Sequence, residues 1–592
     1  MWVAGTSLAA AVLMFCYLRI AGATQVNSDG AGLMLQASDM LHGNVLLHGW
    51  WATDVSFYTT DLPEYLVVTA AAGVRPEVVH ICSALTYTML VLLAAFVARG
   101  RARGAEGLVR ALLAAGLILA PQPTGPTIVL LGSPDHVGTG VPVLVLLLLL
   151  DWAEGRRGRR RWYVPAAAGV LLAWSIIGDP LIEVVGVLPL FLACVLRGGW
   201  IVWSRRVAEP GPGQAGTAPA APGTAARRGW SAAWYEWSLA LAAAAAVPAA
   251  AAGNWLIRAL GGYTMANPFY HLQSLYEMRH GLSVAVESVL VLFGADFKSV
   301  TGTGNVAFAL VHLIGVAVVL AGFCFGAWGL VRPFVRLARS RRLGAAAAAT
   351  PGDLIADFLV IAIAANCAAF VLEVPLQNAY SAHEIAPVLS LGAALAGRTL
   401  GSRIYGRRAS AASPEPGDTV HAARPARSGA RRGLLAALAA GLACYAVLLG
   451  IAAAHRQGAP RNVALTAWLT RHHLTSGFAA YWEASSITVD SGGAITLLSV
   501  TDGGWHGRLV PQKWLTDTLL TKKMPTATFV IVSPGEKLRR SSAVATFGQP
   551  AQSYRYGPFT ILVWQQNLVP QMLRADKRPA TQAVSVIGPG ET

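Results

Sequence analysis

Charge is what this sequence has least of. Of its 592 residues only 13% are Asp, Glu, Lys or Arg, while 54% are hydrophobic and the mean hydropathy is +0.50. A soluble protein of ordinary surface-to-volume ratio cannot be that apolar, so the composition excludes that class. Cysteine is also sparse. The six residues, Cys16, Cys82, Cys194, Cys324, Cys367 and Cys444, all lie inside apolar stretches without metal or redox spacing, and they read as small hydrophobes. No P-loop or dinucleotide glycine pattern stands between a strand and a helix, so neither ATP nor a nucleotide sugar is expected. The first apolar run, 2–21, has no basic segment before it and many apolar runs after it, so it reads as an uncleaved first helix rather than a leader.

What the sequence does have is apolar blocks long enough to cross the hydrocarbon core, which takes about 20 helical residues. The formal charge of +16 comes from arginines gathered in short segments between these blocks, at 99–110, 156–161, 197–228, 332–342 and 398–432. The positive-inside rule places such segments in the cytoplasm and removes any need for a nucleic-acid partner. Spans near 2–22, 76–98, 108–121, 137–152, 163–178, 180–197, 234–260, 306–331, 353–373, 384–400 and 433–453 alternate between those segments and the remaining loops. The expected fold is a polytopic all-α membrane domain of about eleven helices over 1–453, with its N-terminus in the cytoplasm and a first outer loop at 23–64. Segment 282–293 reads as a further half-span or a surface helix. The Pro-, Gly- and Ala-rich stretches within 198–232 and 401–432 read as flexible cytoplasmic linkers.

After residue 453 the composition changes. Helical patterns at 462–473 and 511–521 alternate with strand-like runs at 486–489, 494–500, 526–532 and 559–564, which predicts a small extracytoplasmic α/β domain over 454–592. His472–His473 and Trp505–His506 read as surface or packing residues there.

The acidic residues of the outer loops are the functional signal. Asp29, Asp39, Asp54, Asp61 and Glu64 lie in the first loop, Asp135 beside His136 in the second, Asp179 in the third and Glu384 beside His383 in the last. The positive-inside rule is nearly indifferent to acids, so it does not explain this gathering, whereas a site does. Asp29, in NSDG just past the first span, has its depth set by the helix end. A partly desolvated carboxylate there can serve as a base, and it can equally cap a helix over 31–41. Asp54 and Asp61 are further candidates for the same catalytic role. Gly49 to Tyr65 mixes aromatic rings with acids, as a sugar- or headgroup-facing surface would, and Trp50, Tyr58 and Glu64 are its candidate substrate contacts, with His383 and Glu384. An ordinary interfacial aromatic belt would also account for the rings. Asp135 and His136, in SPDH, could ligate a divalent cation such as Mg or Mn, or Asp135 could cap the next span.

A many-spanning chain with a long first outer loop, NSDG around Asp29, SPDH around Asp135 and an extracytoplasmic α/β tail resembles the GT-C superfamily of membrane glycosyltransferases. It also resembles large membrane proteins of high-GC Gram-positive bacteria, in keeping with its abundant Ala, Gly, Arg and Pro. The resemblance implies a multi-pass protein of the cell membrane whose donor is a polyprenyl-phosphate sugar and whose acceptor is a cell-envelope glycan, lipid or protein. It implies inversion, with Asp29 as general base and with Asp135 and His136 at the second acidic motif. The first loop lacks the adjacent Asp-Glu pair of the protein mannosyltransferases, and the second motif is Asp-His rather than Asp-x-Asp. A departing lipid phosphate needs positive charge or donors, and Arg258, Arg279 and His271 are the candidates. Two other classes remain open: a transporter or flippase of lipid-linked glycans, which would carry charges near mid-span, and a non-catalytic membrane scaffold with an outer binding domain.

Overall fold

The computed structural model describes residues 2–122, 126–132, 135–154, 162–207, 233–266, 273–298, 303–343, 352–373, 379–405, 427–454, 461–503 and 507–576. His271, Trp505–His506 and most of the two expected linkers lie outside the described residues. The described ends of those linkers are helical.

The helices run in chain order as α1 (Trp2–Ala21), α2 (Ser28–Leu41), α3 (Leu62–Ala72), α4 (Pro76–Arg99), α5 (Gly104–Leu117), α6 (Pro126–Leu131), α7 (Gly140–Glu154), α8 (Val164–Gly178), α9 (Leu188–Val207), α10 (Trp234–Ala259), α11 (Leu275–Leu292), α12 (Thr303–Leu343), α13 (Leu354–Glu373), α14 (Pro387–Tyr405) and α15 (Arg427–Ala454). Every expected span coincides with a helix. Seven helical segments are long and apolar enough to cross a membrane: Val3–Ala21, Pro76–Arg99, Glu183–Ser204, Trp234–Ala259, Val306–Arg336, Leu354–Leu372 and Arg431–Ala454. The other four expected spans are α5, α7, α8 and α14, of 14, 15, 15 and 19 residues. By length and composition, seven of the eleven expected spans qualify among the described residues. Segment 282–293 belongs to the single helix α11, which starts in a capping box between Ser274 and Glu277.

Proline sets the start of α3, α4 and α8, where a missing N–H costs nothing and the fixed φ suits the first turn. Helix α14 forms the middle of the bundle, every residue from Pro387 to Arg398 being buried against α4, α5, α12 and α13. Its small residues allow close approach: a Cβ on Gly397 would stand 2.6 Å from the Arg110 carbonyl oxygen.

The bundle has chemically distinct ends. At one, Arg398 bonds Asp151 at 2.7 Å and the Val97 carbonyl at 2.9 Å, and Arg197 bonds Glu154 at 3.1 Å. At the other, the loops carrying Asp29, Asp61, Asp135, His136, Asp179, His383 and Glu384 converge.

The C-terminal region follows with α16 (Arg461–Arg471), β3 (Ser476–Ala479), α17 (Tyr481–Asp490), β4 (Thr496–Asp502), β5 (Leu509–Pro511), β6 (Thr516–Asp517), α18 (Leu520–Lys523), β7 (Phe529–Val532), α19 (Arg540–Phe547), β8 (Gln552–Tyr556), β9 (Phe559–Val563) and α20 (Val569–Asp576). Its six-stranded sheet has the order β5-β4-β3-β7-β9-β8, with β4, β3 and β7 parallel and the outer pairings antiparallel. The run 486–489, expected as a strand, is part of helix α17. Its residues are buried on every side, between the sheet and α2, so the usual helical alternation of apolar and polar positions is missing. The stretch 511–521, expected as one helix, instead ends β5, forms β6 and reaches only the start of the short helix α18. Strand β6 pairs antiparallel with β1 (Trp50–Ala52) of the first loop, and β1 pairs parallel with β2 (Thr264–Met265). This three-stranded sheet joins the first loop, the segment after α10 and the C-terminal region.

Candidate active site

Asn27, not Asp29, caps α2: the Asn27 side chain accepts a hydrogen bond from Gly30 N at 3.0 Å. The helix starts at Ser28, earlier than expected, and Asp29 is left in its first turn with its carboxylate buried at 8% exposure. The C-terminal region closes over it. Tyr481, the first residue of α17, donates its hydroxyl proton to Asp29 Oδ1, and the Tyr481 carbonyl accepts from the Ser28 hydroxyl. Burial, with the charge of Asp135 added, pushes the Asp29 carboxyl up to about 8, against the Tyr481 hydrogen bond and the positive His383, which both lower it. The base candidate is therefore held by a residue some 450 positions away in the chain.

The second and last loops meet at His136. Its Nδ1 lies 3.0 Å from Asp179 Oδ2, its Nε2 lies 3.3 Å from Glu384 Oε2, and its ring stacks parallel to His383 with centroids 6.4 Å apart. Thr139 donates to the same Asp179 oxygen, and Asp179 Oδ1 accepts from Leu181 N at 2.9 Å. His383 Nε2 in turn lies 3.3 Å from Glu384 Oε1. Burial alone would lower the pKa of both imidazoles. The carboxylates overcome it, raising His136 well above its ordinary value and His383 to about 9, while Glu384 is held below the usual carboxylate range. Glu384 thus bridges two imidazolium rings. His136 holds φ +52, a left-handed conformation rare for a residue with a side chain. Asp135 lies five residues before α7 begins, so it does not cap that helix.

Both His136 nitrogens are spent on carboxylates, and among the described residues no group of three His, Cys, Asp or Glu side chains is spaced to hold a metal ion. The donor set at the second motif does not fit a cation ligated by the Asp135–His136 pair.

Asp61 stands before α3, buried, with its carboxylate so close to Gly138 that a Cβ there would fall 2.2 Å from Oδ1. Burial raises its carboxyl to about 7, with Asp179 and Asp135 adding to the effect and His136 opposing it. Glu64 accepts from Thr86 Oγ1 at 2.9 Å and is raised to about 8 by burial and by Asp61. Asp54 is half-buried just past β1. Trp50 is buried in β1 and donates its indole N–H to Asp39 at 2.9 Å, so it packs the joint between the first loop and the C-terminal region. Tyr58 bonds the Val45 carbonyl at 3.1 Å and lies against Tyr263 with ring centroids 5.3 Å apart. Arg258, in the last turn of α10, and Arg279, on α11, are exposed.

Reasoning from sequence missed Tyr481 and the bridging role of Asp179. Tyr481 carries no local signal. Asp179 had one, since its turn belongs to the same set of outer loops as Asp29 and His136.

No protein-family model matches the chain, and no curated protein does. Among solved structures the chain is similar to the oligosaccharyltransferase of Archaeoglobus fulgidus, crystallised with a disulfide-tethered acceptor peptide containing the NVT sequon. The identity is 12% and the TM-score 0.43, over 89% of this chain and 69% of that one. A likeness of that size carries no residue role across.

Proposed function

We propose that this protein is a membrane glycosyltransferase that moves a sugar from a polyprenyl-phosphate donor to a cell-envelope acceptor at the acidic end of the bundle. The positive-inside rule puts the arginine end in the cytoplasm, and hence the site and the C-terminal region outside. One observation carries the reading: a buried carboxylate, Asp29, faces a second carboxylate and an imidazolium where three separate loops and the C-terminal region converge.

In this reading Asp29 takes the proton of the acceptor hydroxyl through Oδ2, which accepts only a long hydrogen bond of 3.4 Å from the Asn27 amide, as Oδ1 is held by Tyr481. The acceptor oxygen bonds to the anomeric carbon as the bond to the lipid phosphate breaks on the opposite face, giving inversion. Charge on the departing phosphate needs a fixed positive partner. His383, kept protonated by Glu384, is the cation whose field reaches Asp29, and Arg258 and Arg279 are exposed cations on α10 and α11.

The test follows labelled sugar from polyprenyl-phosphate donors in membranes, with Mg and Mn supplied throughout, for wild type and Asp29→Asn. Loss of a positioned general base is expected to slow transfer by about 10²–10⁴-fold with folding intact. Equal transfer by the two proteins would overturn the assignment.

A further inference from the structure

The arginine end of the bundle holds a polar cluster that the transfer reaction does not use. Arg398 bonds Asp151 at 2.7 Å and Asp353 at 3.0 Å, and Glu154 accepts from Arg197 at 3.1 Å and from Arg101 at 3.4 Å. Among the described residues, three guanidiniums and three carboxylates are thereby paired. Asp357, in the first turn of α13, belongs to none of these pairs, although the charge of Arg197 reaches it. It is 6% exposed, and its carboxylate makes no hydrogen bond or ion pair with any described residue. Beside it, Arg197 uses its terminal nitrogens on Glu154 and the Gly352 carbonyl, while its buried Nε has no acceptor.

Asp357 and Arg197 line one groove, whose walls are Leu196, Trp200, Leu330 and Phe334. Trp200 and Phe334 meet edge to face with centroids 5.6 Å apart, and Phe334 is 40% exposed. An ionisable group within a span normally has a partner, and the chemistry of this groove specifies one. A surplus carboxylate calls for a cation bearing N–H donors, the free guanidinium N–H calls for an acceptor oxygen next to it, and the aromatic wall suits acyl chain.

We infer that this groove binds a membrane lipid whose headgroup joins a primary ammonium to a phosphate, with the ammonium on Asp357, the phosphate toward Arg197 and the glycerol end against Trp200 and Phe334. A headgroup without a cation would set its phosphate charge against the surplus carboxylate. A trimethylammonium headgroup offers no N–H. The site is separate from Asp29 and does not rest on the transfer reading.

The test uses the purified full chain with phosphatidylethanolamine, phosphatidylcholine and phosphatidylglycerol of the same acyl chains, measuring retained lipid by native mass spectrometry. Wild type is expected to retain phosphatidylethanolamine about tenfold more tightly than either other lipid, the worth of one charge-assisted hydrogen bond, and Asp357→Asn to lose that preference. No preference in wild type, or a preference that survives in Asp357→Asn, overturns the site. If Asp357→Asn does not fold, carbodiimide coupling of the lipid amine in wild type decides. The carboxyl and amine join as an amide while the carbodiimide becomes a urea, and label on the peptide carrying Asp357 supports the site, whereas label only elsewhere overturns it.

Discussion

Tyr481 shows what one side chain does to the site. Its hydroxyl donates to Asp29 Oδ1, and a donor to a carboxylate favours the ionised form. In the proposed transfer Asp29, at about 8, has to be deprotonated and His383, at about 9, has to stay protonated. Transfer is therefore expected to rise as pH passes through about 8 and to fall above about 9, a bell whose limbs belong to Asp29 and His383 acting together. In Tyr481→Phe the lost donor raises the Asp29 carboxyl further. The rising limb is expected to move up by about one pH unit, worth ~1.4 kcal/mol, with the falling limb nearly unmoved. A pH–rate profile that keeps its rising limb in place would remove Tyr481 from the site. At this scale the sequence was partly legible. Asp29, Asp61, Glu64 and His136 were visible because acids crowd one set of loops, whereas the partner of each depends on contacts no spacing encodes.

At the scale of elements, α14 is the test. Twelve consecutive buried residues leave it no lipid-facing side, and Gly397 and Gly401 let Arg110 of α5 press against its backbone. In Gly397→Ala the new methyl would meet the Arg110 carbonyl oxygen at 2.6 Å and Ala98 and Ala114 side chains at 2.8 and 2.9 Å. Two of those three neighbours are short side chains and one is backbone, so relief requires the helices to part. The expected cost is about 1–3 kcal/mol, read as a lower unfolding temperature in detergent, with an unchanged melting curve as the contrary result. Period and length placed a helix at every span, because hydrophobic runs and flanking arginines are local features. They misread α17, since a short helix enclosed on all sides shows an unbroken apolar and β-branched run such as a buried strand would show.

For the whole molecule, α17 is the element that docks the C-terminal region onto the bundle. Its first residue bonds Asp29, Val489 joins the core beneath the first loop, and Asp490 lies near Glu77 at the start of α4. Burial, then the Glu77 charge, raises the Asp490 carboxyl from 3.8 to about 6, and one of its buried oxygens has no partner. The folded state thus binds more proton than the unfolded state between those values. Stability is expected to fall as pH rises from about 4 to 6 and then level off, the opposite of a salt-bridged acid. Asp490→Asn should flatten that slope and gain stability at pH 7, on the order of 1 kcal/mol because the group is partly solvated. An unaltered slope of unfolding temperature against pH would show that the docked Asp490 is not strained.

The sequence by itself determined that the chain is a membrane protein, where its helices lie, which loops share an end of the bundle, and that acids collect at the end opposite the arginines. These follow from hydropathy and charge, which act over a turn or a span. Only the tertiary structure decided that Asn27 caps α2, that Asp179 and Glu384 hold His136 from both sides, that β6 pairs with the first loop, and that Tyr481 reaches Asp29. Each of these is a contact between segments far apart in the chain, chosen by packing and by the need to pair every buried polar group, and no local pattern in the sequence records such a choice.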